Sequence, residues 1–231
     1  MIFLFDVDGT LTLSRKRIDP KFKDFFYNWV VTHQEYGDEV YFVTGSDKDK
    51  TIEQVGEKIW LQVDGSYQNC ANQLYSKGQL IREFSWRLPD DLMWDIIGTL
   101  SRSQWYGTAK GNIEIRIGMI NISTVGRECS SKDRAKYYKW DKENKERELM
   151  VKTLKSRYPK IEFSIGGEIS IDVYPKGKDK SQAIDDLKGE SVFFGDSCDA
   201  GGNDHSISRK CSTFHQVKNW EETKRILEMT L

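Results

Sequence analysis

Two aspartates near the start of the chain have the type and spacing that phosphoryl transfer needs. Asp6 and Asp8 are separated by one residue at the end of a predicted strand, Ile2–Val7, and Gly9 and Thr10 turn the chain away after them. Two desolvated carboxylates this close repel each other, and a divalent cation would relieve the repulsion. Because Mg²⁺ prefers carboxylates, water and phosphate oxygens as ligands, the pair predicts a magnesium site. One carboxylate could then attack phosphorus while the other transfers a proton.

The flanking elements predict that these acids lie at the edge of a parallel sheet. Asp19 and Pro20 form a typical helix start, and apolar residues recur after them at helical spacing. A second strand, Val40–Val43, is followed by Asp47, which can cap a helix that runs to about Lys58. Strand, helix, strand and helix in this order predict a doubly wound α/β core.

The middle of the chain follows a different pattern. Asn112–Ser123 alternates apolar and polar residues, which predicts sheet with one open face. A long helix is predicted from Ser130 to about Tyr158, and the strands Ile161–Ile165 and Glu168–Tyr174 follow it. This part of the chain is predicted to be an α+β insertion with a sheet of its own.

The α/β pattern resumes near the end of the chain, with a strand at Val192–Phe194 and a closing helix at Trp220–Met229. We therefore predict a discontinuous core formed by residues 1–77 and 176–231, with residues 78–175 as an inserted cap domain.

Composition excludes some classes of function. The chain has 35 basic and 36 acidic residues, a formal net charge of -1, which argues against binding of bulk nucleic acid or anionic membranes. No run of about twenty apolar residues is present to span a bilayer. The four cysteines show no CxxC spacing, so we expect reduced thiols and a cytoplasmic protein.

Four stretches resemble the motifs of the haloacid dehalogenase phosphotransferase superfamily. FDVDGTLT is similar to its first motif and VTGSD to its second. The resemblance implies that Asp6 is the nucleophile and that Asp8 is the acid/base, which also lends its backbone carbonyl to Mg²⁺. The phosphate-binding hydroxyl would belong to Thr44 or Ser46, and the sequence does not choose between them.

The third and fourth motifs lie in the second half of the chain. KGKDKSQA places Lys180 where the superfamily has the lysine that neutralises phosphate. FFGDSCDAGGND provides Asp196 as a metal ligand, supported by Asn203 and Asp204. The implied metal ligands are thus Asp6, Asp8, Asp196 and Asp204. By themselves, a DxD pair or one lysine would more often be ordinary surface residues.

Longer stretches resemble the eukaryotic-type phosphomannomutase family across nearly the whole chain and in the family's order. They are IEIRIGMINIS, VGRECSSKDR, FSIGGEISIDVYPKGKDK and FFGDSCDAGGNDH. This resemblance implies a haloacid dehalogenase-like Rossmannoid core with an inserted α+β cap. By matched position it implies substrate contacts from Arg15 in the core and from five cap residues, Arg116, Arg127, Arg134, Ser170 and Asp172.

The residue types in the cap agree with that implication. Ser170 and Asp172 alternate with apolar residues, so they share one face of a strand and could bind the hydroxyls of a sugar. The planar guanidinium group of arginine binds phosphate oxygens in pairs, as expected for Arg116.

The resemblance implies a cytoplasmic isomerase that interconverts mannose 6-phosphate and mannose 1-phosphate. An aspartyl-phosphate on Asp6 and a hexose 1,6-bisphosphate would be the intermediates, with hexose 1,6-bisphosphate also the activator, and the product would supply GDP-mannose synthesis. It also implies a homodimer that pairs through the cap domains. A capped sugar-phosphate phosphatase of the same superfamily remains an alternative, because phosphatases share the DxD motif. A binding module that has kept the fold without the reaction is a second.

Overall fold

The chain is divided between two units in the computed structural model, which describes residues 1–107 and 109–229. The first unit contains Met1–Phe84 and Lys178–Leu231, and the second contains Ser85–Gly177. Residue 108 of the expected cap and residues 230 and 231 of the expected core lie outside the described residues.

The strands of the described residues are, in chain order, β1 (Ile2–Phe5), β2 (Glu39–Val43), β3 (Gly65–Gln68), β4 (Gln73–Ser76), β5 (Gln79–Glu83), β6 (Ile113–Arg116), β7 (Met119–Ile122), β8 (Ile161–Gly166), β9 (Ser170–Pro175), β10 (Ser191–Gly195) and β11 (Thr213–Gln216). The helices are α1 (Pro20–Glu35), α2 (Lys48–Val55), α3 (Glu57–Gln62), α4 (Asp90–Ser101), α5 (Ser131–Asn144), α6 (Glu146–Arg157), α7 (Gln182–Asp185), α8 (His205–Lys210) and α9 (Trp220–Leu227). None of these helices combines the length and the apolar character needed to cross a membrane.

The first unit is built on a seven-stranded sheet in the order β11-β10-β1-β2-β3-β4-β5. Its strands from β11 to β3 are parallel, and β4 and β5 add an antiparallel edge. Strand β1 lies near the middle, where Phe5 pairs with Phe42 of β2 and with Phe194 of β10. The residues that follow these three strands therefore meet at one edge of the sheet, as ligand sites of open α/β sheets do. The predicted α/β core is confirmed.

Helix α1 begins where the sequence predicts it. Asp19 accepts hydrogen bonds at Oδ1 from the backbone nitrogens of Lys21 and Phe22, at 2.9 and 3.2 Å, and Pro20 occupies the first helical position. A carboxylate at this position satisfies amides that have no partner within the helix. The buried residues of α1 that pack against the sheet include Phe22, Phe26 and Trp29.

Two predicted helices are each divided in two. The helix after Asp47 ends at Val55, because Gly56 adopts a φ of 84°, and α3 begins directly after this glycine. The long helix after Ser130 is interrupted at Lys145, whose φ is 57°. Ser130 does accept a hydrogen bond from the backbone nitrogen of Asp133, at 3.1 Å, so the predicted cap at the start of α5 is confirmed.

The first segment of the first unit extends past residue 78, where the sequence predicts that the cap begins. Strand β5 pairs with β4, so the hairpin belongs with the first unit and the second unit begins only at Ser85. Arg82 of this hairpin also bonds Asp186 of the first unit, with 2.6 Å between Nη1 and Oδ1. The hairpin has mostly polar, exposed residues, which is why its strands give no clear apolar signal in the sequence.

The second unit is built on a four-stranded antiparallel sheet in the order β6-β7-β9-β8. One face is apolar: Ile120, Ile171 and Val173 pack there with Ile96 of α4 and Leu154 of α6. The opposite face carries the polar residues of the alternating strands: Glu114, Arg116, Asn121, Ser170 and Asp172. The alternation read from the sequence therefore separates a core face from a polar face.

A buried ion pair stabilises the break between helices α5 and α6 at Lys145. Arg147 is 5% exposed and donates from Nε to Asp141 Oδ2 at 2.7 Å. Its Nη1 also donates to the carbonyl oxygens of Gly167 and Ser170, at 3.0 and 3.3 Å, in the turn before β9. Arg147 thus ties two helices to the turn that leads into Ser170.

We predict that Arg147→Leu lowers the free energy of unfolding by about 3 kcal/mol, because it leaves the Asp141 carboxylate buried without its partner. Urea denaturation followed by circular dichroism measures this change. Arg157→Leu on the same helix is the matched control, because that arginine is exposed and its ion pair with Asp95 should contribute less than about 1 kcal/mol. Equal losses for both variants would contradict the role given to Arg147.

Candidate active site

Three carboxylates meet at the edge of the first sheet where the parallel strands end. Asp6 follows β1, Asp196 follows β10 and Asp204 directly precedes α8. One carboxylate oxygen of each lies within 4.8 Å of the others. Asp6 and Asp204 are 3% and 0% exposed, so this is a buried group of acids rather than a solvated surface patch.

Lys180 lies between two of these acids. Its Nζ is 2.6 Å from Asp6 Oδ1 and 2.7 Å from Asp204 Oδ1, and its side chain is 1% exposed. Burial alone would lower the pKa of Lys180, but the carboxylates of Asp204 and Asp6 raise it well above its usual value. The ammonium group therefore stays charged and offsets one of the three negative charges that the acids carry when ionised.

The remaining charge of the group is what a divalent cation would neutralise. Burial, and secondarily the neighbouring acids Asp204 and Asp196, raise the pKa of Asp6 well above its usual value, although Lys180 opposes the shift. Burial and the carboxylate of Asp204 raise the pKa of Asp196 to about 6. Three converging carboxylates with too little positive charge around them fit a hard cation such as Mg²⁺. Asp6, Asp196 and Asp204 are the side chains that could hold it.

Two glycines let the loops approach this group closely. A Cβ atom on Gly9, whose φ is 83°, would lie 2.5 Å from Asp196 Oδ2. A Cβ atom on Gly195 would lie 2.7 Å from Asp204 Oδ2. Neither position has room for a larger residue, so the glycines of the DGT and FGD sequences set the spacing of the acids.

The side chain of Asp8 points to different partners. Its Oδ1 accepts hydrogen bonds from the backbone nitrogen of Arg15 at 2.6 Å and from Gln54 Nε2 at 2.8 Å. Its Oδ2 lies 2.9 Å from Lys50 Nζ and 3.4 Å from Ser46 Oγ. Burial tends to raise the pKa of Asp8, but Lys50 and these hydrogen bonds outweigh it and hold the pKa below its usual value. The carboxylate of Asp8 is not part of the group formed by Asp6, Asp196 and Asp204. The metal contact expected of Asp8 would come from its backbone carbonyl instead.

The two candidate phosphate-binding hydroxyls lie just after β2, and both are buried. Thr44 Oγ1 accepts a hydrogen bond from the backbone nitrogen of Ser46, at 3.1 Å. Ser46 Oγ accepts one from Lys50 Nζ, at 3.2 Å. Both hydroxyls remain candidates.

Two of the arginines predicted to bind substrate share an acid on the second unit. Arg116 donates from Nη2 to Glu114 Oε2 at 2.9 Å, and Arg127 Nε lies 3.1 Å from the same oxygen. Arg127 also donates from Nη1 to Ser170 Oγ at 3.0 Å. The structure thus brings Arg116, Arg127 and Ser170 together around Glu114.

Asp172 lies on the same sheet face, directly opposite Asn121 in the β7–β9 register. Its Oδ1 accepts a hydrogen bond from Asn121 Nδ2 at 2.6 Å. A Cβ atom on Gly166 would lie 2.7 Å from Asp172 Oδ2, so this glycine makes room for the carboxylate.

Several buried polar atoms near these residues have no hydrogen-bond partner among the described residues. They include Asn121 Oδ1, Ser123 Oγ and Arg134 Nη2. The other terminal nitrogen of Arg134 is 3.9 Å from Glu168 Oε2, a loose ion pair. An unsatisfied buried polar group costs about 1–3 kcal/mol, so each of these atoms lowers stability unless a ligand or water bonds it.

Sequence reasoning missed Lys50, Gln54 and Asn121. Lys50 and Gln54 are four residues apart on the helix that Asp47 was predicted to cap, so they share one face of it. Asn121 is one of the polar positions in the alternating segment that predicted β7. Both signals were present in the sequence, but neither says that the side chains reach Asp8 or Asp172.

Comparison with known proteins identifies the family. A family model for eukaryotic phosphomannomutase matches residues 31–231. The phosphomannomutase of Drosophila melanogaster is 34% identical over 98% of this chain and 94% of its own length. That of Nicotiana benthamiana is 36% identical over 96% and 91%, and that of Encephalitozoon cuniculi is 34% identical over 100% and 93%.

Solved structures support the fold. A sugar phosphatase of haloacid dehalogenase subclass IIB has a TM-score of 0.62 at 15% identity and matches 99% of this chain and 98% of its own. An IMP-nucleotidase of Plasmodium falciparum has a TM-score of 0.64 at 16% identity over 100% of this chain and 68% of that one. The fold is thus that of the haloacid dehalogenase superfamily, and the chain belongs to the eukaryotic phosphomannomutase family.

Proposed function

We propose that this chain interconverts mannose 6-phosphate and mannose 1-phosphate through an aspartyl-phosphate on Asp6. The observation that carries the proposal is the buried Asp6 carboxylate, held by Lys180 at 2.6 Å beside the carboxylates of Asp196 and Asp204. Membership of the eukaryotic phosphomannomutase family supports the same activity.

The first half of the reaction forms the phosphoenzyme. A carboxylate oxygen of Asp6 attacks phosphorus, and the bond between phosphorus and the sugar oxygen breaks. Asp8 gives a proton to that leaving oxygen, and Lys180 offsets negative charge on the transferring group. Bound Mg²⁺, held by Asp6, Asp196, Asp204 and the Asp8 backbone, would supply further charge neutralisation.

The full cycle begins with that phosphorylation step and then reverses the roles of Asp6 and Asp8 on a hydroxyl of the substrate. A hexose 1,6-bisphosphate activator first phosphorylates Asp6. The 1-hydroxyl of mannose 6-phosphate then attacks the aspartyl-phosphate while Asp8 takes its proton, which gives mannose 1,6-bisphosphate. This intermediate returns its 6-phosphate to Asp6 and leaves as mannose 1-phosphate. Water must be kept from the aspartyl-phosphate throughout, because its attack would release free phosphate.

From the family resemblance we assign substrate phosphate to three arginines of the second unit, Arg116, Arg127 and Arg134. Arg15 of the first unit is also assigned as a substrate contact on the same resemblance. Arginine's paired donors suit phosphate oxygens. Ser170 and Asp172 would bind sugar hydroxyls. The grouping of Arg116, Arg127 and Ser170 around Glu114 supports this assignment.

Three further properties are part of the proposal. A cytoplasmic location is supported by the spacing of the four cysteines, which include no CxxC pair. The family resemblance suggests a homodimer that pairs through the second unit. The product, mannose 1-phosphate, would supply GDP-mannose synthesis.

The activator assay tests the activity directly. Incubation with mannose 1-phosphate and glucose 1,6-bisphosphate should give mannose 6-phosphate in a coupled assay, with little product when the activator is omitted. Asp6→Asn should give none, because it lacks the nucleophile. Asp199→Asn, in the same loop as Asp196 but exposed, is the matched control and should behave as wild type. Release of free phosphate without mannose 6-phosphate would instead identify a sugar-phosphate phosphatase.

Metal binding can be measured without activity. Mg²⁺ at 100 times its dissociation constant should stabilise the folded protein by about 2.7 kcal/mol, seen as a higher unfolding temperature that a chelator reverses. Asp196→Asn should lose most of this shift, whereas Asp199→Asn should keep it. A wild-type protein that does not respond to Mg²⁺, or an unchanged response in Asp196→Asn, would rule out the proposed metal site.

Arg134→Ala tests the second unit. It should lower kcat/KM for mannose 1-phosphate by about 10- to 150-fold, which corresponds to about 1.5–3 kcal/mol for a lost charged hydrogen bond. Steady-state kinetics measures this, with Arg157→Ala as the control because Arg157 is exposed on α6. If neither kcat nor KM changes, Arg134 does not belong to the substrate site.

A further inference from the structure

We propose that Lys50 and Gln54, one helical turn apart on α2, are positioning residues that fix the carboxylate of Asp8 and thereby control proton transfer to and from the sugar oxygen. The inference rests on the proposed function, because it assumes that Asp8 is the acid/base of that reaction.

Each residue holds a different oxygen of the carboxylate. Gln54 Nε2 donates to Oδ1 at 2.8 Å, and Lys50 Nζ donates to Oδ2 at 2.9 Å. The backbone nitrogen of Arg15 and the hydroxyl of Ser46 complete the set, at 2.6 and 3.4 Å. A carboxylate bonded at both oxygens from two sides cannot rotate freely, so its direction is set by α2.

Helix α2 is itself fixed at its start. Asp47 accepts a hydrogen bond at Oδ1 from the backbone nitrogen of Lys50, at 2.9 Å, and Thr51 Oγ1 donates to the Asp47 carbonyl at 3.0 Å. Residues four apart on a helix lie on the same face, which is why Lys50 and Gln54 reach one side chain together.

Gln54 is further tied to the loop that carries Asp8. The residue is 3% exposed, and Nε2 also donates to Thr12 Oγ1 at 3.0 Å. The backbone carbonyl oxygen of Gln54 accepts a hydrogen bond from the backbone nitrogen of Ile18 at 2.9 Å. The loop after β1 and the helix after β2 are therefore joined by hydrogen bonds on both sides of Asp8.

The two acids of the DxD sequence thus have separate cations. Asp6 pairs with Lys180, whereas Asp8 pairs with Lys50. Lys50 also donates to Ser46 Oγ at 3.2 Å, which links the acid/base to a candidate phosphate-binding hydroxyl. This division keeps the second carboxylate out of the metal group and directs it towards its own role.

A double-mutant cycle tests the proposal. Because general acid–base catalysis contributes about 10²–10⁴-fold, Lys50→Met should lower kcat by about 10- to 100-fold through partial loss of that term. KM should change much less, and Lys50→Arg should recover part of kcat. In an Asp8→Asn background Lys50→Met should cause no further loss, because both changes remove the same contribution.

The leaving group gives a second readout. p-Nitrophenolate leaves without a proton, so phosphorylation of Asp6 by p-nitrophenyl phosphate should be nearly insensitive to Lys50→Met. The hexose phosphate reaction should slow with Lys50→Met and with Gln54→Leu. Lys48→Met is the matched control, because Lys48 lies on the same helix and its ion pair is with Asp49.

Additive losses in the cycle, equal losses for both phosphoryl donors, or the same result for Lys48→Met would overturn the proposal. If Gln54→Leu fails to fold, Lys50→Met still decides, because the Lys50 side chain is 27% exposed and its removal leaves little unfilled space. A wild-type protein that fails the activator assay refutes the proposed function itself. An active wild type whose Lys50→Met variant is unimpaired refutes this inference alone.

Discussion

The contact on which the first unit depends is the ammonium group of Lys180 between Asp6 and Asp204. All three side chains are almost fully buried, and a buried charge without a partner is costly. The contact can form only if the end of β1, the loop before α7 and the loop before α8 meet at one place. The parallel pairing of β1 with β2 and β10 provides that place, and the glycines at 9 and 195 let the loops come close enough. The same arrangement leaves negative charge in excess, which is what a phosphotransferase needs in order to hold a divalent cation.

The charge arrangement of the second unit is the reverse of that in the first: arginines surround one acid, Glu114. Its polar sheet face gathers Arg116 and Arg127 around Glu114 and Ser170. Among the residues that the structure describes, buried polar atoms of Arg134 on α5, Asn121 and Ser123 have no hydrogen-bond partner. Each such atom lowers stability unless a ligand or water bonds it. The apolar face of the same sheet packs against α4 and α6 and supplies the stability that the polar face does not.

Many features of the fold and of the candidate site follow from local sequence rules. The features that the sequence did not predict depend on tertiary contacts. The start of α1 and of α5 follows from Asp19 and Ser130, since a cap acts within one turn. The acids at strand ends follow from the order of strands and helices. The interruption at Lys145 could not be read from the sequence, because it is stabilised by Arg147 binding Asp141 and a turn some twenty residues away. Lys50 and Gln54, which bond the Asp8 carboxylate, were missed for the same reason. Helical spacing places them on one face of α2 but does not say which residues that face contacts.

The order of the strands also bears on how the protein is made. β1 is synthesised first, yet its neighbour β10 and the lysine that pairs with Asp6 belong to the last quarter of the chain. Until the ribosome has delivered that segment, burying Asp6 would leave its charge uncompensated. β1 is therefore expected to complete its pairing only after the second unit has been synthesised. The buried group of acids can be completed only after Lys180, Asp196 and Asp204 have been synthesised.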